Sequence, residues 1–233
     1  MISRLGVGVA ALVTTAILFL SAPMADEADL SGGVFVTHHP PSLQWTDPPP
    51  EEGWCQYYLD AFAVDCCEEQ SASLTPDTLG APAVWFILSA WDEPKRWCGV
   101  ALGFDEYDPG IFAFVEWDHC CPVGECLELA MDGWPGPQQG VSFVTTGGDS
   151  WYGNFVPVYW FAGYAYGEGV IPIGPDPDFD YAAWGNCLTP PGIFEADCLG
   201  GMGIFTEGIE CCPEGGPSGD ASMTWGTVKQ LYR

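Results

Sequence analysis

The chain has 233 residues, with 32 acidic side chains against five basic ones and a formal net charge of −27. Nucleic acids are excluded as partners because phosphate binding requires a basic surface, and anionic membrane surfaces are disfavoured for the same reason. The length allows one large all-β domain or two small ones, and such a chain can bury a core that does not depend on disulfides to fold.

The N-terminal residues 1–25 have the features of a cleavable secretory signal. Arg4 is their only charged residue, residues 5–20 are all apolar or small, and Ala22 and Ala25 are the candidate cleavage positions. The apolar run of about 16 residues is shorter than the roughly 20 residues needed to span a bilayer. We therefore expect a secreted protein, periplasmic or extracellular, with no membrane span once the signal is removed.

Residues 26–212 are predicted to form a single β-rich domain. The 30 glycines and 21 prolines of the chain separate short apolar runs, a pattern typical of many short strands. The expected strands are residues 34–37, 83–91, 97–104, 111–117, 141–145, 155–166 and 202–206. Residues 54–64 fit a helix and a strand equally well. The pattern predicts an all-β sandwich or jelly-roll-like domain with long disulfide-tied loops.

Three of these segments carry more detailed expectations. Residues 84–88 are apolar at every position, which predicts that both faces of the strand are covered. Pro157 lies inside a long aromatic run and predicts a bend, a bulge or an edge position, because proline donates no hydrogen bond to a ladder. His38 and His39 precede two prolines and are predicted to lie in a surface loop.

Eleven cysteines indicate a disulfide framework, because thiols in secreted proteins are commonly oxidised in pairs. They are Cys55, Cys66, Cys67, Cys98, Cys120, Cys121, Cys126, Cys187, Cys198, Cys211 and Cys212. An odd number leaves at least one thiol without a partner inside the chain.

Six of the cysteines form adjacent doublets, at positions 66–67, 120–121 and 211–212. Neighbouring Cα atoms lie about 3.8 Å apart, closer than the roughly 4.4–6.8 Å across a disulfide. Each doublet is therefore expected to join two different neighbours. A zinc site formed by His119 with Cys120, Cys121 and Cys126 is disfavoured, since zinc-binding cysteine pairs are usually two to four residues apart.

A candidate calcium site is formed by Asp176, Asp178 and Asp180, because alternate carboxylates in a loop can converge on one ion. The segment is not an EF-hand, since Tyr181 and Cys187 occupy the positions that require glycine and glutamate. A solvated acidic loop is the alternative. Calcium is the one cofactor that the sequence suggests.

A candidate ligand platform consists of tryptophans that lie beside proline or glycine in predicted loops. They are Trp45, Trp54, Trp134, Trp151 and Trp184. Large aromatic rings offer an apolar face on which sugars can stack. A glycan or another cell-surface component is the partner that such a platform would bind.

No catalytic site is expected. Residues 148–150 (Gly-Asp-Ser) match the core motif of SGNH-type esterases, but all three histidines precede it, whereas that family needs a later histidine as its base. The Gly-x-Ser-x-Gly elbow of other hydrolases is absent. A hydrolase that uses a pair of carboxylates is a less favoured alternative, because no motif singles out a pair.

The C-terminal end divides into two short segments. Residues 213–220 have the glycine, proline and serine composition of a linker. In the tail formed by residues 221–233, Trp225, Val228 and Leu231 recur at helical spacing. Docking on the domain and a role as an attachment handle are both open.

Three segments resemble uncharacterised secreted Cys- and Trp-rich proteins of uncultured bacteria. They are VPVYWFAGYAY (156–166), GGMGIFT (200–206) and ECCP (210–213). The resemblance implies no function. We predict a secreted, non-catalytic protein with a structural or adhesive role, and an extracellular glycan-binding module is the alternative.

Overall fold

The computed structural model describes residues 29–64, 66–122, 126–146 and 150–213. The strands are Val34–His38 (β1), Ser73–Leu74 (β2), Pro82–Trp97 (β3), Gly99–Phe104 (β4), Phe112–His119 (β5), Cys126–Ala130 (β6), Gly140–Thr145 (β7), Trp151–Ala165 (β8), Gly169–Gly174 (β9), Ala183–Gly185 (β10), Ile193–Glu195 (β11), Cys198–Leu199 (β12) and Gly201–Ile204 (β13). One α-helix, Trp54–Ala61 (α1), and one 3₁₀ turn, Cys67–Glu69, accompany them. The predicted signal (1–25), nearly all of the linker (213–220) and the tail (221–233) lie outside the described residues.

The strands form two sheets, which confirms the predicted all-β, sandwich-like class. The first sheet has the order β12-β1-β3-β8-β5. In the second sheet β4 pairs with β7 along one edge and divides its other edge between β10 and β9. That sheet then extends through β6 beyond β7, through β11 beyond β10, and through β13 and β2 beyond β9.

The long antiparallel pair β3–β8 is the centre of the first sheet. Its register shifts between Ile87 and Leu88, which lie opposite Tyr159 and Pro157 respectively. One residue of β8 is therefore extra at this point, and the strand bulges next to the proline that cannot donate to the ladder. The predicted irregularity at Pro157 is confirmed as a bulge.

Two apolar cores cover the two faces of the first sheet. Between the sheets lie large aromatic side chains such as Trp85 and Phe161, whose rings stack with centroids 4.5 Å apart. On the outer face, Trp54 and Tyr58 of α1 pack with Phe86 and its neighbours in β3. Residues 84–88 are accordingly buried at every position, as their unbroken apolar run predicts.

Helix α1 forms because this outer face needs a cover. Trp54 and Tyr58 are four residues apart, so they lie on one side of the helix, and both are buried. The segment that was open between helix and strand is thus helical over residues 54–61. No helix among the described residues is long and apolar enough to cross a membrane.

The predicted surface loop at His38 and His39 is wrong. Strand β1 continues through His38, whose ring is 4% exposed and whose Nδ1 accepts the Ser71 N–H at 2.9 Å. His39 is half-buried, and its Nδ1 donates to the Val84 carbonyl at 2.8 Å. The two prolines that follow do end the strand, but only after both rings are packed.

Five disulfides tie the loops to the sheets, which confirms the predicted framework. The pairs are Cys55–Cys120, Cys67–Cys212, Cys98–Cys187, Cys121–Cys126 and Cys198–Cys211. Two doublets each join two different neighbours, as expected. In the third doublet Cys67 is bonded and Cys66 forms no disulfide.

Candidate functional site

The loop 176–181 is a tight turn that does not gather its carboxylates around a common point. Asp176 is 2% exposed, its Oδ1 accepts the Asp178 N–H at 2.9 Å, and its carbonyl accepts the N–H groups of Phe179 and Asp180. Asp180 has a positive φ of 62°, so the chain does not follow the extended path that would align alternate carboxylates. Within the described part of the chain, these three aspartates form no cluster of ligand atoms.

Asp176 has a structural role in this turn. Burial raises the pKa of its carboxyl group, with the hydrogen bond from Asp178 opposing the shift. The Cβ of any residue larger than glycine at position 140 would lie 2.8 Å from this carboxyl group. Asp176 therefore closes the loop against β7.

The predicted tryptophan platform is corrected by the burial of its members. Four of the five rings are core residues: Trp54 is 2% exposed, Trp134 6%, Trp151 3% and Trp184 0%. Trp151 stacks on Trp97 with centroids 4.3 Å apart. Only Trp45 is partly exposed, with its Nε1 donating to a Glu116 carboxylate oxygen at 3.2 Å. Their proline and glycine neighbours mark the ends of buried segments.

The outer face of the second sheet carries a groove with a floor of small residues. Gly99 and Ala101 of β4 lie opposite Gly185 and Ala183 of β10. Because strand side chains alternate between faces, the intervening Val100 belongs to the core, together with Trp184 of β10. Two neighbouring strands thus present almost no side-chain volume on their outer face.

Large apolar side chains form the two walls of this groove. On one side Val144 of β7 lies opposite Gly99, and Leu129 of β6 lies opposite Ser142. On the other side Ile193 of β11 lies opposite Gly185. These three wall residues are between 46% and 62% exposed, and they flank the same floor of small residues.

Two loops complete the rim. Phe179 and Tyr181 stack with centroids 5.7 Å apart, and both rings of this aspartate-containing loop belong to the lining of the groove. The loop after β10 is held by the Cys98–Cys187 disulfide and by Asn186, whose Oδ1 accepts the Gly192 N–H at 2.8 Å. Both ends of that disulfide line the groove.

The groove is neutral and has the size of a ligand site. Its volume is about 460 Å³, within the roughly 300–1,000 Å³ of small-molecule pockets. Its lining residues include no charged side chain, although the chain has a formal charge of −27. Ser142, Thr145 and Tyr181 are the hydroxyl-bearing residues of the lining. This composition favours an uncharged and mainly apolar ligand.

A separate group of side chains has the chemistry to hold a metal ion. Among the described residues, the one group of three or more metal-ligating side chains with ligand atoms within 4.8 Å of one another is Asp118, His119 and Glu128. It lies at the end of β5 and on β6. The zinc cluster that paired His119 with cysteines does not form, because all three cysteines are in disulfides.

Strand β6, which the sequence-based strand prediction does not include, carries a sequence signal for the groove. Leu127 and Leu129 alternate with Cys126 and Glu128 in β6, the pattern of a strand with one apolar face. The apolar face of this strand is the exposed one. The strands β10 and β11 are three residues long and give no such signal.

Comparisons with known proteins find no relative of this chain. No protein-family model, no curated protein and no solved structure matches it. The function is therefore argued from the groove and the side-chain cluster themselves.

Proposed function

We propose that the protein is a secreted, non-catalytic binding protein, and that the groove on the second sheet binds an uncharged, mainly apolar small molecule. The observation that carries this proposal is the neutral lining, with wall side chains that are 46% to 62% exposed on a strongly acidic protein. Contiguous exposed apolar surface on soluble proteins usually marks a binding site. Covering it with a ligand yields about 25 cal/mol per Å² of apolar area removed from water.

Secretion is part of the proposal and has two supports. The N-terminal residues 1–25 have the pattern of a secretory signal. The five disulfides are typical of proteins that mature in an oxidising compartment.

The two alternatives have weaker support in the groove. A hydrolase of the glycosidase type needs two carboxylates about 5–10 Å apart across a cleft, and the groove lining contains none. A glycan-binding site would use exposed rings together with many hydrogen-bonding groups. Phe179 and Tyr181 supply the rings, but the rest of the lining is mainly aliphatic.

The test is a titration of residues 26–233, the chain without its predicted signal, with the neutral apolar dye N-phenyl-1-naphthylamine. The variant Ala101→Leu fills the floor of the groove, and we expect it to weaken dye binding by at least about tenfold, or about 1.4 kcal/mol. Ala113→Leu is the matched control, because Ala113 is an exposed strand residue of the first sheet. It should leave the dye affinity unchanged.

Two results would contradict the proposal. Equal dye affinity in Ala101→Leu and wild type would show that the dye binds elsewhere. A concentration-dependent dimer in analytical ultracentrifugation that Ala101→Leu abolishes, without dye binding, would show that a second copy covers the groove. Binding of neutral oligosaccharides in preference to the dye, lost in the same variant, would support the glycan alternative.

A further inference from the structure

The cluster of Asp118, His119 and Glu128 lies where the two sheets approach each other at one end of the sandwich. Asp118 and His119 end β5 in the first sheet, and Glu128 belongs to β6 in the second. The Cys121–Cys126 disulfide joins the segments directly after β5 and at the start of β6. This covalent link holds the three side chains together although they come from different sheets.

The imidazole of His119 is close to both carboxylates and forms no hydrogen bond with either. Its Nδ1 is 3.6 Å from Asp118 Oδ1, and its Nε2 is 4.0 Å from Glu128 Oε2. Nδ1 is buried and has no hydrogen-bond partner. This nitrogen is therefore not used by another group of the protein and is available to bind an ion.

Glu128 is oriented by buried residues outside the cluster. Trp134 Nε1 donates to the Tyr159 hydroxyl at 3.1 Å, and that hydroxyl donates to Glu128 Oε1 at 2.8 Å. Trp134 is 6% exposed and Tyr159 is 1% exposed. One carboxylate oxygen is thus fixed, while the other, Oε2, is the one nearer His119. Metal-binding carboxylates are commonly held by an outer hydrogen bond of this kind.

We propose that Asp118, His119 and Glu128 bind one Zn²⁺ ion that links the two sheets. Imidazole nitrogen together with carboxylate oxygen suits zinc, whereas calcium prefers oxygen ligands alone. Zinc bonds of about 2.0–2.2 Å place tetrahedral ligand atoms about 3.4 Å apart. One ring nitrogen of His119 and one oxygen of each carboxylate lie within 4.8 Å of one another, so these separations must shorten by up to about 1.4 Å to reach the tetrahedral spacing. Three protein ligands leave a fourth position for water.

The experiment is a calorimetric titration of residues 26–233. The protein is first treated with EDTA, and Zn²⁺ is then added in the presence of excess Mg²⁺. The magnesium occupies the diffuse ion atmosphere of the acidic surface. We expect one equivalent of Zn²⁺ to bind with a Kd in the micromolar range or below. His119→Gln, Asp118→Asn and Glu128→Gln should each weaken binding by more than about tenfold, and Tyr159→Phe by about tenfold.

Asp132→Asn is the matched control for charge. Asp132 is exposed and lies in the same region of sequence, so the variant removes one negative charge without removing a ligand. It should bind zinc as the wild type does. Asp118→Asn separates loss of zinc binding from loss of folding. The Asp118 side chain is 59% exposed, so the melting temperature of this variant in EDTA should equal that of the wild type. Replacement of zinc by Co²⁺ should give the visible absorption of a four-coordinate site in the wild type and not in His119→Gln.

The proposal is overturned if Mg²⁺ abolishes zinc binding, or if several equivalents bind equally in the wild type and the three ligand variants. Either result would mean that zinc is held only by the general negative charge. These readouts are independent of dye binding in the groove, so the two proposals can fail separately.

Discussion

The buried His38 ring should make the stability of the protein depend on pH. Burial lowers the pKa of His38 from 6.5 to about 4, with a smaller contribution from the neighbouring His39. The ring is 4% exposed and packs edge-on against Tyr58, with centroids 5.9 Å apart. Its Nδ1 already accepts the Ser71 N–H, so protonation of that nitrogen would also break a hydrogen bond.

The size and sign of the effect follow from linkage. The unfolded chain protonates this histidine as the pH falls through about 6.5, whereas the folded chain does so only near 4. The unfolded state therefore binds more protons between these values, so the free energy of unfolding decreases as the pH is lowered through that window. At about 1.36 kcal/mol per pKa unit, the gap amounts to a loss of about 3 kcal/mol. Stability is full above pH 6.5 and this part of it is gone below pH 4.

The variant His38→Asn isolates this contribution, because the asparagine Oδ1 takes the position of Nδ1 and still accepts a hydrogen bond. Urea unfolding of both proteins with intact disulfides, at pH values between 7.5 and 4, gives the two slopes. The wild type should lose about 3 kcal/mol more than the variant over this range. His39 and the carboxylates titrate in both proteins and cancel in the comparison. Parallel curves would refute the reasoning.

Two further predictions concern Cys66 and the loop 176–181. Under non-reducing denaturing conditions, the described cysteines should give one reactive thiol, that of Cys66, in a thiol-specific colorimetric assay. Burial raises the pKa of this thiol, so native protein should react more slowly than a model thiol at pH 8. Equal rates would contradict the shift. For the loop, Ca²⁺ should raise the melting temperature no more than Na⁺ at equal ionic strength, and Asp178→Ala should not change the response. A calcium-specific rise that Asp178→Ala removes would restore the calcium site.

The sequence predicted seven of the thirteen strands in the described residues and missed β2, β6 and β9 to β12, although β6 and β9 have five and six residues. All seven predicted strands occur. Apolar runs such as residues 84–88 and 155–166 are long enough to be recognised as strands from the sequence alone. Strands β2 and β12 have two residues each, and no periodicity can be read from two residues. They form because neighbouring strands hold them in place, for example β12 beside Val34 and Phe35.

The site residues were predicted poorly for a physical reason. Proline and glycine neighbours suggested exposed loops around Trp151 and Trp184. Burying the large apolar area of an indole ring is strongly favourable, however, and both rings lie in the core. Trp184 is stacked on Phe35 at 4.2 Å with its Nε1 donating to the Ser89 hydroxyl. Likewise, the alternate spacing of the loop aspartates suggested converging carboxylates, but the tight turn with Asp180 at positive φ does not gather their oxygens.

Strand β6 connects the two proposed sites. Leu129 lines the groove on the outer face of the sheet, and the adjacent Glu128 points to the opposite face with Phe143. An ion bound by Glu128 and His119 would fix β6 to the end of the first sheet and with it one wall of the groove. If zinc changes the affinity of the groove for its ligand, a ligand in the groove must change the affinity for zinc by the same factor, because coupling between two binding sites is reciprocal.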